Sequence, residues 1–333
     1  MTEAKSVLPV FIPSLATLLA QAERIKGNRL TESEARRIRD KAVCMMMAPE
    51  DAVKLAESRG YRDVEPENFW ADWHRLRVEH TGNGYLPKLV MCVLGDVNLA
   101  SQCNQLLKAR SLEYEWGEHD SRMVSAFEAS ACRCDPSLTE EDLVSIGEHS
   151  RVLYVLSRNF TAQDGPSVCR DFLDLGQCLL QLGAVALKCE SSGIAHGRAR
   201  WLELSCEATG DDYWMALIRG YVQLPIWSGE DFHTCGLHLL GVPDLVVSDD
   251  LLREAHCTNE SQGWQAVDLF REFAHYLLSE CNSGRFHSGH TFSLAPSTPR
   301  FRVSWEDCTG YEEDDFFFNP FGRWRFSELI KTS

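Results

Sequence analysis

Leu217-Ile218-Arg219-Gly220-Tyr221-Val222-Gln223-Leu224-Pro225 and Phe232-His233-Thr234-Cys235-Gly236-Leu237-His238-Leu239-Leu240 are two apolar runs that flank Trp227-Ser228-Gly229-Glu230-Asp231. Two short apolar runs around a turn-rich segment predict an antiparallel hairpin. The strongest helical signal in the chain comes after it: Trp264, Val267, Phe270, Phe273, Ala274, Leu277, Leu278 and Cys281 recur at helical spacing until Asn282-Ser283-Gly284. A hairpin beside a helix, without strict strand-helix-strand units, predicts an α+β fold with mostly antiparallel sheet covered by helices.

Upstream, the runs 89–94, 99–109, 122–127, 139–148 and 152–156 alternate between strand-like and helix-like patterns. Phe172, Leu175, Gly176, Leu179 and Leu180 form one helical stripe within 169–182, ended by Gly183, and 185–189 reads as a strand. Downstream, Phe292 and Phe301 to Trp305 read as closing strands. Residues 1–80 form a helical N-terminal segment: Leu15, Leu18, Leu19 and Ala22 are periodic after Pro13, Thr31-Glu32-Ser33-Glu34 is a capping box opening a helix through Val43, and Pro49 opens another. Gly60, Pro66 and the cluster Phe69, Trp70 and Trp73 predict a turn and an anchoring segment that packs on the next part of the chain. Thr81-Gly82-Asn83-Gly84 is the linker candidate, so 85–333 is expected to be the α+β domain, divisible near residue 150 into two β-α halves.

Composition narrows the class. Of 333 residues, 44% are hydrophobic and 10% aromatic, ample for two or three packed units. Lys and Arg number 33 against 49 Asp and Glu, a net charge of −16 that repels nucleic-acid phosphates and anionic lipid and favours a basic partner. Thirteen scattered cysteines, an odd number with no Cys-x-x-Cys, make no disulfide framework. No basic region followed by a long apolar run opens the chain, and the apolar stretches are too short to span a bilayer. A soluble cytoplasmic protein is therefore expected, without nucleic-acid or membrane partners, and the triplets Asn159-Phe160-Thr161 and Asn259-Glu260-Ser261 read as chance glycosylation matches.

No complete catalytic or cofactor motif occurs. His233, Cys235 and His238 suggest metal binding, yet strand alternation sends His238 to the face opposite the other two, so three ligands cannot converge on zinc without a bulge at Gly236. A packed strand with Gly236 allowing close backbone approach is expected instead, with no metal or cofactor, and Cys132-Arg133-Cys134 adds no second ligand pair. The loop Glu190-Ser191-Ser192-Gly193-Ile194-Ala195-His196-Gly197-Arg198 precedes a helix and offers backbone N–H groups, with Arg198, to an anion; ordinary loop chemistry is the stronger reading. Convergence of Glu190, His196, His238 and Asp244 would make a general acid-base site, the basis of an alternative enzymatic reading on a small polar or nucleotide-like substrate. Otherwise Val242-Pro243-Asp244 is a strand end and turn, and Cys235 packs as a small apolar group. The acidic-aromatic run Glu312-Glu313-Asp314-Asp315-Phe316-Phe317-Phe318 is either a solvated loop with one buried anchor or part of a partner surface.

Cys235-Gly236-Leu237-His238-Leu239-Leu240-Gly241-Val242-Pro243-Asp244, with Gly193-Ile194-Ala195-His196 and Tyr276-Leu277-Leu278, resembles an uncharacterised bacterial domain family over roughly residues 88–280. The front segment is similar to another stretch found in bacterial proteins, through Pro9-Val10-Phe11-Ile12-Pro13-Ser14-Leu15, Arg39-Asp40-Lys41-Ala42-Val43 and Arg59-Gly60-Tyr61-Arg62-Asp63-Val64. Neither carries a catalytic residue to transfer. Such families resemble those among the immunity genes that accompany bacterial toxins, which implies a non-enzymatic binder that docks on a basic toxin domain and neutralises it.

Overall fold

The structure, a computed structural model, describes residues 7–81, 86–134, 137–255, 262–280, 286–313 and 315–330. The proposed linker at Gly82-Asn83-Gly84, the triplet at Asn259, and the helix stop at Asn282-Ser283-Gly284 lie outside the described residues. The chain divides into two compact units, Met1–Tyr85 with Ser283–Ser288, and Leu86–Asn282 with Gly289–Ser333. Charge divides unevenly between them: the first unit holds 14 basic and 13 acidic side chains, and the second 19 and 36.

In the first unit β1 (Leu8–Phe11) is followed by α1 (Leu15–Lys26), α2 (Glu32–Lys41), β2 (Cys44–Met47), α3 (Pro49–Arg59) and α4 (Phe69–Thr81). The first three helices form where the sequence signals them, whereas α4 stands where a turn and an anchoring segment are expected. Thr31 and Glu34 make the reciprocal capping box of α2, and the Asp63 carboxylate accepts the first two N–H groups of α1, from Leu15 and Ala16, at 3.0 and 2.9 Å. The purely helical expectation misses β1 and β2, which pair antiparallel from Leu8↔Met47 to Phe11↔Cys44. Both strands are four residues long and mostly exposed, so no polar-apolar alternation announces them. Phe69 and Trp73 form no separate anchor: they are buried turns of α4, packed with Leu15, Leu19 and Ala35 in this unit's own core.

The second unit contains two sheets. A five-stranded antiparallel sheet is assembled from β3 (Val90–Gly95), β4 (Glu113–Glu118), β5 (Arg151–Leu156), β6 (Ala186–Cys189) and β7 (Ala195–Gly197), in the order β4-β5-β3-β6-β7. Every residue of the central β3 is buried, as its uninterrupted apolar sequence requires. The helices α5 (Val97–Ala109), α6 (Met123–Ala131), α7 (Glu140–Gly147) and α8 (Gly165–Gln181) connect these strands, and Phe127 and Ile146 pack on Cys92, Leu94 and Val152. The α8 stripe read from the sequence is the buried face: Phe172, Leu175, Gly176, Leu179 and Leu180 are all in the core.

Beyond β7 come α9 (Arg198–Glu207), α10 (Trp214–Tyr221), β8 (Gln223–Trp227), β9 (Asp231–Cys235), β10 (Asp244–Ser248), α11 (Asp249–Glu254), α12 (Gln262–Ser279), β11 (Thr291–Phe292), β12 (Arg300–Glu306) and β13 (Arg323–Ile330). The second sheet has the order β11-β12-β13-β10-β9-β8 and is antiparallel except where β10 meets β13. Phe270 and Phe273 of α12 pack on Phe326 of β13, with ring centroids 6.3 and 5.3 Å apart. Burying each such ring contributes about 1.5–3 kcal/mol. The α+β class with antiparallel sheets therefore holds, but helices and strands interleave along the whole chain, and the helix-first, sheet-second order does not.

The hairpin that fixed the class is present at 223–235, with corrected edges. Residues 217–221 belong to α10, and the second strand stops at Cys235 instead of running to Leu240. Gly236 ends it. Its φ of +116° lies in the left-handed region, and a Cβ there would sit 2.3 Å from the Tyr221 carbonyl oxygen. The chain then turns through a single 3₁₀ segment, Leu237–Leu240, closed by Gly241 at φ +78°.

Candidate functional site

His238 consequently sits on a 3₁₀ turn, and strand alternation no longer governs where it points. Its ring is 1% exposed, and burial holds its pKa down to about 3, so it is neutral. The carbonyls of Ser191 and Phe316 approach the ring and favour a proton on it, yet neither ring nitrogen has a hydrogen-bond partner. Ser192 Oγ is also buried without a hydrogen-bond partner, beside the weakly polar Cys189 thiol. Thus the glycine-flanked histidine turn, the serine-glycine loop and the acidic-aromatic loop do meet, but around a fully buried, neutral imidazole.

Asp244, at the start of β10, serves as a hub of hydrogen bonds. Its Oδ1 accepts from Thr234 Oγ1 at 2.8 Å and from Leu237 N at 3.3 Å; its Oδ2 accepts from Asn319 Nδ2 at 2.8 Å. Burial raises its pKa to about 6 against the lowering effect of these donors. The carboxylate ties two strands and the loop before β13 together, which exceeds the local turn role expected from sequence.

The other two residues of the acid-base alternative lie elsewhere. Glu190 forms an ion pair with Lys188 on the sheet face that carries Cys92 and Tyr154, and adds to burial in raising the pKa of both. His196 Nε2 is 3.1 Å from the Gly220 carbonyl, which only accepts, so Nε2 carries the proton and Nδ1 faces Cys134 Sγ at 3.7 Å. Burial lowers the His196 pKa to about 4, and raises that of Cys134 to about 11. Each of these groups has its own partners or none, and among the described residues no hydrogen bond or ion pair joins Glu190, His196, His238 and Asp244 to one another.

The anion reading of the 190–198 loop fails on its backbone. Gly193 N and Ser192 N both point back to the Cys189 carbonyl, Ser191 Oγ accepts from Val90 N and donates to Lys88 O, and Arg198 donates to the Leu180 and Ala184 carbonyls behind α8. Among the described residues no group of three or more His, Cys, Asp or Glu side chains is placed to hold a metal, and all eleven described cysteines are free. Cys235 packs as an apolar group, its thiol pKa raised by burial. In the acidic-aromatic run Phe318 is buried, Phe317 half-buried and Phe316 exposed, while Asp314 lies outside the described residues.

An open groove lies on the helical side of this unit. It has a volume of about 520 Å³ and is walled by α8, the end of α9 and the start of α10. Asp171 and Asp174 project from α8, and the rings of Tyr213 and Trp214, at the start of α10, meet at 4.5 Å with their planes tilted by 35°. The Arg170 guanidinium lies 4.4 Å over the Tyr213 ring, so this aromatic face already receives a cation. Asp174 pairs with Arg110 at 2.7 Å, and the same guanidinium donates to the Asp171 backbone carbonyl at 3.4 Å, whereas the Asp171 carboxylate has no ion-pair partner among the described residues.

No family model, curated protein or solved structure matches this chain. The resemblance noted for residues 88–280 therefore brings no functional residue, and the site rests on its own geometry. The groove escapes a sequence reading because its acids lie on the polar side of a helix whose apolar stripe dominates its pattern. The signal that could have found it is Asp171 and Asp174 at i, i+3 spacing, together with Asp211-Asp212-Tyr213-Trp214. Among the described residues no helix is long and apolar enough to cross a membrane.

Proposed function

We propose that this chain is a cytoplasmic protein-binding protein that docks on a basic partner and blocks it, as an immunity protein neutralises a toxin domain. The observation that carries this reading is the groove in which unpaired Asp171 lies opposite the half-buried rings of Tyr213 and Trp214. A lysine or arginine from a partner entering there gains the Asp171 carboxylate and the Trp214 ring, beside the Tyr213 face that Arg170 covers, and a carboxylate with an aromatic ring is a combination that anchors protein interfaces. The surrounding charge acts in the same sense: 36 acidic against 19 basic residues in the second unit speed encounter with a cationic protein. His196, His238 and Asp244 are buried and Glu190 is taken up by Lys188, with no bond joining the four, which gives the enzymatic alternative no comparable support.

Affinity capture from the native cell at low and high salt tests this. A stoichiometric protein of high isoelectric point, retained at low salt and released at high salt, is the expected result. Recovery of no stoichiometric partner, or of an acidic one indifferent to salt, would contradict the proposal.

A further inference from the structure

A second feature of this unit has the opposite charge. Four arginines, Arg133 just after α6, Arg200 of α9, Arg219 of α10 and Arg271 of α12, line one cleft with His196 and Cys134 over an apolar floor that includes Ile218 and Leu224. This is a concentration of cationic forks in a chain of net charge −16. Two acids engage Arg200 and Arg219: Glu203 accepts from Arg200 at 2.7 Å, and Glu207 lies 3.7 Å from Arg200 and 3.4 Å from Arg219. Arg133 bonds neutral acceptors, Gln223 Oε1 at 3.0 Å and the Ala129 carbonyl at 3.2 Å. The buried groups beside the cleft register the field: burial dominates the lowered pKa of His196, and Arg200 lowers it further; Arg200 and Arg133 act on the Cys134 thiol in the direction that favours an anion.

We propose that this cleft binds the phosphoryl head of a small phosphorylated ligand. Arginine forks match the spacing of two phosphoryl oxygens, and such charge-assisted pairs are roughly twice as strong as neutral hydrogen bonds. The enclosed space is about 20 Å³. A single water needs about 10–15 Å³, so one or two oxygens enter while the rest of the ligand stays at the mouth. The cleft thus reads the oxyanion and is indifferent to the body attached to it. Its position is independent of the acidic groove and of the binding proposed there.

Calorimetric titration of the full chain with inorganic phosphate and with phenyl phosphate, against chloride at matched ionic strength, tests the site. Saturable binding of either phosphate, absent with chloride, is expected; tighter inorganic phosphate identifies the free ion as ligand, and equal or tighter phenyl phosphate identifies a monoester. Arg133→Gln and Arg219→Gln each replace a partly exposed side chain and should weaken binding about tenfold, the loss of one charge-assisted contact. Arg122→Gln, on an 86% exposed side chain, should leave it unchanged. The absence of saturable binding of either phosphate to the unaltered chain would overturn the proposal, as would wild-type affinity in both cleft variants.

Discussion

Asn319 Nδ2 donates a 2.8 Å hydrogen bond to Asp244 Oδ2, joining two residues 75 positions apart in the interior of the second unit. Asn319 also donates to the Val242 carbonyl at 3.1 Å and accepts from Phe321 N, so one amide fixes the loop that leads into β13. With Thr234 and Leu237 N on its other oxygen, Asp244 holds the parallel β10 and β13 pair in register with β9.

Asp244→Ala leaves several buried donors without an acceptor, each costing about 1–3 kcal/mol, so a loss of about 3 kcal/mol or more is expected. Asp244→Asn keeps the shape but sets an NH₂ group against the Asn319 donor, or turns it toward Thr234 and Leu237, and should cost about 1–3 kcal/mol. Urea denaturation midpoints measure both. An alanine variant within about 1 kcal/mol of the parent would refute the hub role.

His238→Leu is expected to stabilise the protein by about 1 kcal/mol or more. Both ring nitrogens are buried without partners, and replacing an unsatisfied polar group by an apolar one of similar size removes its desolvation penalty. The same urea experiment decides it. A marked destabilisation would show that the imidazole has a polar partner or task in solution.

Stability should fall on acidification. His238 and His196, with folded pKa values near 3 and 4, contribute stability that is present above the unfolded value of about 6.5 and is lost as pH falls below it. Asp244, raised to about 6, acts oppositely: its contribution is present at low pH and lost as pH rises through 6. Each group contributes about 1.4 kcal/mol per pH unit, so between pH 6 and 4 two losses against one gain leave these three at about 1.4 kcal/mol per unit. His238→Leu should flatten the profile in this range. A variant profile parallel to that of the parent would contradict the assignment.

Gly236→Ala should destabilise by about 2 kcal/mol or more, since the new Cβ meets the Tyr221 carbonyl at 2.3 Å and the φ of +116° strains any L side chain. Gly229→Ala, at φ +96° with open space around it, isolates the backbone strain alone and should cost less. Thermal unfolding of the pair separates crowding from strain, and equal losses would refute the crowding argument.

These positions mark where sequence reading succeeds and stops. The capping box at Thr31, the α8 stripe and the α12 periodicity were legible because local hydrogen bonding and a 3.6-residue repeat write themselves into adjacent residues. The hairpin was legible, but its end at Cys235 was not, because the break depends on how closely Gly236 approaches Tyr221, a tertiary contact. β13 went unread although it lies at the centre of its sheet: Arg323-Trp324-Arg325-Phe326 alternates, yet its parallel partner β10 is 79 residues away in register. The separate partners of the four residues of the acid-base alternative were illegible for a related reason, since no spacing along the chain reports which face of which sheet each one joins. The acidic groove and the arginine cleft share that cause, being built from helix faces of opposite charge that only packing brings together.

The most direct test of the binding account reverses the groove's charge and removes its aromatic wall. Asp171→Lys and Trp214→Ala are compared with the unaltered chain in capture of the native partner at low salt. The account predicts that a basic, stoichiometric partner is held by the unaltered chain and lost, or weakened at least about tenfold, in both variants. Full retention of that partner by both folded variants would contradict it.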